Sequence, residues 1–344
     1  MAGNAFLKER TPTLAQVAQH ALVSPATVSR VLNGDPRVGE EYRTRVLSAI
    51  AELDYRPNRL ARNLRKQRTA TIGVVVPDIE NPHFSEMVRA AEDTAFDLGY
   101  RVLVCNTDER AEKQSAYLEA LIDERVAGVM ISPSDPRGTQ ISALLDLRIP
   151  VVAFDREVAD ERVDAVLADN VRATRTATQL LLDEGHERIV FVGGRRDVET
   201  GAERLAGYEL AMRAAAHEGV TLDGEFRLEA AQAAMEQRLA AGEPPTAVVV
   251  ANNLMTVGVL RALRRAGLRV PDDVSLVGID DPAWAELIEP PLTAMAQPVG
   301  RMAADAMALL MGRVGDDDAG EPRRIVHSFE LRRRASTRAL TSER

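Results

Sequence analysis

From residue 69 onward the chain alternates short, unbroken apolar runs with amphipathic stretches, and this alternation restricts its fold more than any other feature. The runs lie at 71–76, 102–105, 128–131, 151–154, 189–192, 247–251 and 274–279. Between them, 84–98, 173–184, 205–218, 255–266 and 302–311 carry apolar residues at helical spacing. A strand that is apolar on both faces must be covered on both, so the pattern predicts parallel sheets with helical crossovers. This is too much chain for one sheet, and two α/β lobes are expected. In such folds ligands bind beyond the carboxyl ends of the strands, and a cleft between two lobes would draw on both sets of ends.

The strand ends carry chemistry suited to a small polar ligand. Asp78, Asn81, His83 and Phe84 follow the first run, and Asp155 and Arg156 follow the fourth. Asp169-Asn170, Asn252-Asn253 and Asp280-Asp281 follow later ones. Carboxylates, amides and an arginine can grip vicinal hydroxyls in pairs, and an aromatic ring can cover the apolar face of a sugar. For Asn81, Asn170 and Asn253, capping of a helix N-terminus is an equal alternative.

The first 55 residues follow a different, helical pattern. Thr13-Leu14-Ala15-Gln16 has the form of a capping box, and Leu14, Val17, Ala18 and Ala21 then form one apolar stripe. Ser24 is a second N-cap signal, with Pro25 at the first helical position, where its missing N–H costs nothing. Val28, Val31 and Leu32 fall on one face of that helix, and Asn33-Gly34 stops it. A third helix over 40–53 would turn Val46, Leu47, Ile50 and Leu53 inward. Two short helices joined by a tight turn, with a supporting third, make a helix-turn-helix, although many three-helix cores share the periodicity. Charge is consistent with a DNA-facing head. Residues 1–70 hold 12 Lys/Arg and 6 Asp/Glu within a chain of net charge −9, so the head is basic and the body strongly acidic. An ordinary solvated basic surface would look the same on charge alone. Residues 56–68 add six basic and no acidic side chains, with Leu60, Ala61 and Leu64 as a small apolar edge, which reads as a short helix or a plain basic linker.

Ser24-Pro25-Ala26-Thr27-Val28-Ser29-Arg30-Val31-Leu32-Asn33, followed by Tyr55-Arg56-Pro57-Asn58, closely resembles the lac repressor/galactose repressor (LacI/GalR) family. The resemblance extends to Thr337 through Pro77–Phe84, Arg204-Leu205-Ala206-Gly207-Tyr208, Val277-Gly278-Ile279-Asp280-Asp281, Pro290-Pro291-Leu292-Thr293 and Ser336-Thr337. It implies a helix-turn-helix domain at 1–55, a hinge helix at 56–68 and an effector-binding and dimerisation domain at 69–344. The last is expected to have an N-lobe at about 69–168 and 298–326 and a C-lobe at about 169–297 and 327–344, in the manner of periplasmic binding proteins. It implies that Pro25, Ala26 and Arg30 face bases and that Thr27, Ser29 and Asn33 lie near the backbone. Thr13, Leu14, Ser24 and Asn58 are further expected DNA contacts, and in the hinge Leu64 is the minor-groove wedge with Ala61 beside it. The implied effector set is His83, Phe84, Asp155, Thr200, Arg204, Phe226, Asn252, Asp280 and Gln297.

Three departures from the family's pattern bear on function. Leu22 stands where the family usually has glycine in the turn, at a cost of about 1 kcal/mol if the turn needs a positive φ. Asn253 replaces the usual aspartate, and His83 stands where many members have phenylalanine or tyrosine. The expected protein is thus a DNA-binding regulator, a repressor, acting as a homodimer (a tetramer is left open) on a pseudo-palindromic operator. A small-molecule effector, a sugar or sugar derivative with a nucleobase or nucleoside second, would control its affinity for that operator. No glycine-rich dinucleotide fingerprint, phosphate loop, nucleophile elbow or paired-histidine motif occurs, so no catalytic residue, cofactor or metal is expected. Cys105 is the only cysteine, which excludes an internal disulfide. No apolar run is long enough for a membrane span and the first twenty residues lack a secretory core, so a cytoplasmic, nucleoid-associated protein is expected.

Overall fold

The computed structural model describes residues 12–32, 35, 37–55, 69–314 and 320–340. Asn33, Asn58, Ala61 and Leu64 lie outside the described residues. The chain divides into two compact units at residue 69.

The head is built from three helices, α1 (Leu14–His20), α2 (Pro25–Leu32) and α3 (Glu40–Glu52). The capping box forms as its sequence requires: the Gln16 amide N–H donates to Thr13 Oγ1, and the Thr13 N–H donates to Gln16 Oε1 at 2.8 Å. Ser24 accepts from the Thr27 N–H at 3.1 Å and so starts α2. Val17, Ala18, Ala21, Val28, Val31, Val46, Ala49 and Tyr55 close a small core. Leu47, expected to point inward, is 52% exposed, and Ala49 takes that place. Val46, Ala49, Ile50 and Leu53 fall at i, i+3, i+4 and i+7, whereas Leu47 lies about 100° around the helix from Val46.

The turn between α1 and α2 does use the left-handed region, with Leu22 at φ 53°. Its side chain is 79% exposed and contributes nothing to the core. Arg45 of α3 holds the turn from the other side, its Nη2 donating to the Ala21 carbonyl at 2.7 Å and to the Leu22 carbonyl at 3.1 Å.

The body contains two six-stranded sheets. Its strands are β1 (Thr71–Val76), β2 (Arg101–Asn106), β3 (Gly128–Ile131), β4 (Val151–Phe154), β5 (Asp164–Ala168), β6 (Ile189–Gly193), β7 (Val220–Asp223), β8 (Ala247–Val250), β9 (Ser275–Ile279), β10 (Thr293–Ala296), β11 (Arg324–His327) and β12 (Glu330–Arg332). The first sheet has the order β2-β1-β3-β4-β5-β11 and is parallel throughout. The second has the order β7-β6-β8-β9-β10-β12, with only β12 antiparallel. Central strands β3, β4, β6, β8 and β9 are buried along their length, which is why they read as unbroken apolar runs. Among the helices that cover the sheets are α4 (Pro82–Asp97), α7 (Asn170–Asp183), α8 (Glu199–Ala214), α9 (Leu228–Ala240), α10 (Asn253–Arg265) and α11 (Val299–Arg313). Helices α5 (Ala111–Asp123) and α6 (Thr139–Asp146) also belong to the first lobe.

The chain passes between the lobes three times: after β5, after β10, and between β11 and β12. Phe329, in the last passage, packs against the cores of both lobes. Strand order reverses at β1, which lies between β2 and β3, and again at β6, which lies between β7 and β8. At such a switch point neighbouring crossovers leave on opposite faces and open a crevice at the strand's carboxyl end. Among the described residues, no helix is long and apolar enough to cross a membrane.

Replacing Leu22 with glycine removes a positive-φ penalty of about 1–2 kcal/mol and restores part of it as unfolded-chain entropy. We therefore expect Leu22→Gly to raise the melting midpoint of a 1–55 fragment, followed by circular dichroism, by roughly 2–6 °C. An unchanged or lower midpoint would show that the turn is not strained.

Candidate effector cleft and DNA-reading face

The two switch points face one cleft of about 430 Å³, open mouth included. All nine residues of the expected effector set line it: His83, Phe84, Asp155, Thr200, Arg204, Phe226, Asn252, Asp280 and Gln297. The first lobe supplies the end of β1 and the first turn of α4, where Asn81 caps the helix by accepting from the His83 N–H at 3.0 Å. It also supplies Asp155 directly after β4. Asp155 at φ 63° and Asp280 at φ 73° both adopt the left-handed conformation at a strand end, which turns the carboxylates out of the sheet.

The second lobe supplies Thr200 and Arg204 from the start of α8, both buried. Gly207 allows α8 to sit directly on α7, since a Cβ there would stand 2.3 Å from the Val171 carbonyl oxygen. That approach brings Arg204 to Asn170: Nε donates to Asn170 Oδ1 at 2.7 Å, and Nη1 donates to the Ala251 carbonyl at 2.6 Å. Nη2 makes no hydrogen bond among the described residues, so one edge of the guanidinium is left for the cleft. The Phe226 ring lies against Gly194 and Gly201, where any side chain at Gly194 would collide with it.

Capping is divided differently from what the strand ends suggest. Asn81 does cap α4, but Asp169 and Asn252 cap α7 and α10. Asn170 and Asn253 are thereby free to link side chains. Asn170 Nδ2 donates to Glu203 at 2.9 Å, and Asn253 Nδ2 donates to Asn81 Oδ1 at 3.0 Å and Asp280 Oδ2 at 3.3 Å.

Glu109 and Arg227 also line the cleft and belong to no motif. Glu109 receives both terminal nitrogens of Arg156, at 2.7 and 2.6 Å, and Arg227 meets Asp78 across the lobes at 3.0 Å. Two of the three cleft arginines are thus neutralised inside the protein. Asp155 and Asp280 remain against Arg204 and His83.

His83 is buried, and its Nε2 stands 3.5 Å from Asp155 Oδ1, an ion-pair separation without a formed hydrogen bond. Burial works against the imidazolium, but the Asp155 carboxylate outweighs it, and the pKa of His83 lies above the ordinary imidazole value. Burial likewise works against the Asp155 anion, yet His83, Arg156 and Arg204 hold its pKa below the usual carboxylate value. Burial pushes Glu203 upward. Among the described residues, no cluster of three His, Cys, Asp or Glu is placed to hold a metal ion.

In the head, Pro25, Ala26 and Arg30 are exposed on α2, and Thr27 and Ser29 are half-buried. Thr13 and Ser24 spend their hydroxyls on the caps described above, and Leu14 packs against the small core.

The His83 ion pair stabilises the fold fully below the ordinary imidazole pKa of about 6.5 and is lost as pH rises through the higher folded value. The stability difference between wild type and His83→Phe, from urea unfolding, is therefore expected to be flat on the acid side and to decline from about pH 6.5 upward. A difference independent of pH would remove the charged histidine.

Residues 13–58 match the bacterial regulatory proteins of the lacI family, and residues 178–337 match the periplasmic binding protein-like domain. The ribose operon repressor of Halalkalibacterium halodurans is 34% identical, over 88% of this chain and 90% of its own. The transcriptional repressor PurR of Photobacterium profundum is 35% identical, over 88% and 92%. The lac repressor dimer bound to operator and the anti-inducer ONPF superposes with a TM-score of 0.85 at 27% identity, covering 96% of this chain and all of that one. These relatives are regulators, not enzymes. The chain belongs to the LacI family: it is a DNA-binding transcriptional repressor whose effector is taken by a periplasmic-binding-protein-like domain.

Proposed function

We propose that the effector is an uncharged, polyhydroxylated molecule of the sugar class, held by His83, Phe84, Asp155, Thr200, Arg204, Phe226, Asn252, Asp280 and Gln297. The observation that carries this reading is the internal neutralisation of Arg156 by Glu109 and of Arg227 by Asp78. With those charges spent, the cleft has no surplus cation for a phosphate or carboxylate. What remains are donors and acceptors spaced for hydroxyls, plus a ring in Phe226 for the apolar face. A relative named for a ribose operon supports the same class. A nucleoside is the second reading, because it carries sugar hydroxyls and because Phe84 gives the cleft a second ring.

The repressor acts as a homodimer on a pseudo-palindromic operator in the cytoplasm, with α2 in the major groove and Pro25, Ala26 and Arg30 toward the bases. Exposed apolar side chains support self-association: Phe96, Leu98, Leu103 and Val104 on the first lobe, and Leu287 on the second. The effector shifts operator affinity only through different affinity for two arrangements of the lobes.

Gel-shift titration against the DNA upstream of its own gene, with and without a sugar and nucleoside panel, tests this reading. Arg204→Ala is expected to keep operator affinity within about twofold while losing the response to effector, a weakening of at least roughly a hundredfold in effector affinity. Wild-type effector affinity in that variant would overturn the assignment.

A further inference from the structure

Two of the three cleft arginines are paired with carboxylates, but only one of the pairs is shielded from water. Glu109 receives both terminal nitrogens of Arg156, and Arg156 Nη1 also donates to the Pro133 carbonyl, just past β3, at 3.2 Å. The Arg156 and Glu109 side chains are 6% and 12% exposed. Arg227, paired with Asp78, is 40% exposed and open to screening.

Glu109 reaches Arg156 on the loop between β2 and α5. Asp108 and Glu109 take the left-handed region in succession, at φ 52° and 57°. The loop is pinned on both sides of Asp108: the Thr107 N–H donates to the Val76 carbonyl at 2.9 Å, and the Glu109 N–H to the Pro77 carbonyl at 3.1 Å. Backbone held in a costly conformation by its surroundings is a mark of functional sites. The fold alone does not call for the pair, since a buried ion pair is commonly replaced by apolar residues of similar volume without loss of stability. Both side chains lie on the cleft wall.

Arg156 Nε stands 3.7 Å from Asp155 Oδ2, so one cation lies between two carboxylates, and Asp155 is shared with His83. Farther out, Arg195 is held by Asp197. A guanidinium fork is the best partner a protein side chain offers to a phosphate or carboxylate, because it meets two oxygens at once. Filled by Glu109, the fork of Arg156 offers an anion neither its geometry nor a net charge.

We infer that Glu109 is the residue that makes the cleft reject anionic ligands, by occupying the place on Arg156 that a ligand's carboxylate or phosphate would take. It acts through Arg156 and is therefore a selectivity residue, not an effector contact. The inference deepens the uncharged-ligand reading of the same cleft and rests on it.

Isothermal titration calorimetry of the full chain at constant ionic strength tests it. The probes are inorganic phosphate and three neutral and anionic pairs: D-glucose and D-glucuronate, D-galactose and D-galacturonate, D-ribose and D-ribose 5-phosphate. In the series that binds, wild type is expected to hold the anion at least about tenfold more weakly than its neutral partner. Glu109→Gln can keep one hydrogen bond to Arg156 without the charge. It is expected to raise phosphate affinity, and the ratio of anionic to neutral affinity, at least about tenfold. Combining Glu109→Gln with Arg156→Gln should abolish that gain, and phosphate taken up by the basic head is common to all three proteins and cancels. If circular dichroism shows that Glu109→Gln does not fold, Arg156→Gln decides through the mirror effect. With Glu109 unpaired, D-glucosamine should bind at least about tenfold more tightly than it binds wild type, and no gain overturns the inference. Anion affinity unchanged in Glu109→Gln, or a gain that survives the double variant, overturns the role of Glu109 and leaves the uncharged reading standing. A wild type that prefers an anion to its neutral partner overturns both. If no neutral sugar binds, the sugar reading alone falls: the phosphate gain in Glu109→Gln upholds the anion filter, and its absence overturns it.

Discussion

A buried guanidinium has to be satisfied on almost every edge, and much of the second lobe is arranged around meeting that need for Arg204. One edge goes to the Asn170 side chain at the start of α7 and another to the Ala251 carbonyl just past β8. Both are strand-end groups, and Asn170 is in reach because Gly207 lets α8 ride directly on α7. Asn170 in turn binds Glu203, so the arginine is held by a chain of hydrogen bonds rather than by a single counter-ion. The usual local partner, a carboxylate on the same helix, is not the one used. An arginine fixed in this way is already oriented before a ligand arrives, which lowers the cost of ordering it on binding.

Much of the fold was legible because buried parallel strands cannot hide their composition. β1, β3 and β4 sit where unbroken apolar runs predict them, and Asp78 and Asp155, just beyond β1 and β4, line the cleft. Glu109 and Arg227 escaped the same reasoning because their meaning lies in partners 47 and 149 residues away. No spacing rule connects Glu109 to Arg156 or Arg227 to Asp78. Leu47 and Ala49 show a smaller failure, in which side-chain size suggested one residue and helical phase selected the other. The asparagines show a third: composition marks a helix start, but which of two adjacent residues caps it depends on backbone angles that only the fold sets.

The charge pattern of the cleft links structure to selectivity. Four carboxylates and three arginines line it, and two of the resulting pairs close within the protein. A ligand therefore meets a surface that is polar but nearly balanced, and discrimination has to come from the directions of hydrogen bonds. Sites of that kind reject an analogue that lacks one hydroxyl, because the group left behind is buried and unpaired.

The three passages between the lobes carry a mechanical consequence. A single connecting strand would act as a swivel and let one lobe turn freely against the other. Three passages, with Phe329 packed against both cores, hold the lobes against free twisting far better than one would. Were a ligand to draw the lobes together, these connections would constrain the path of the rotation, and a small displacement at the cleft would become a larger one at the far surface of a lobe. The molecule would then act as a lever pivoting on its connections, with ligand chemistry setting how far it is pulled.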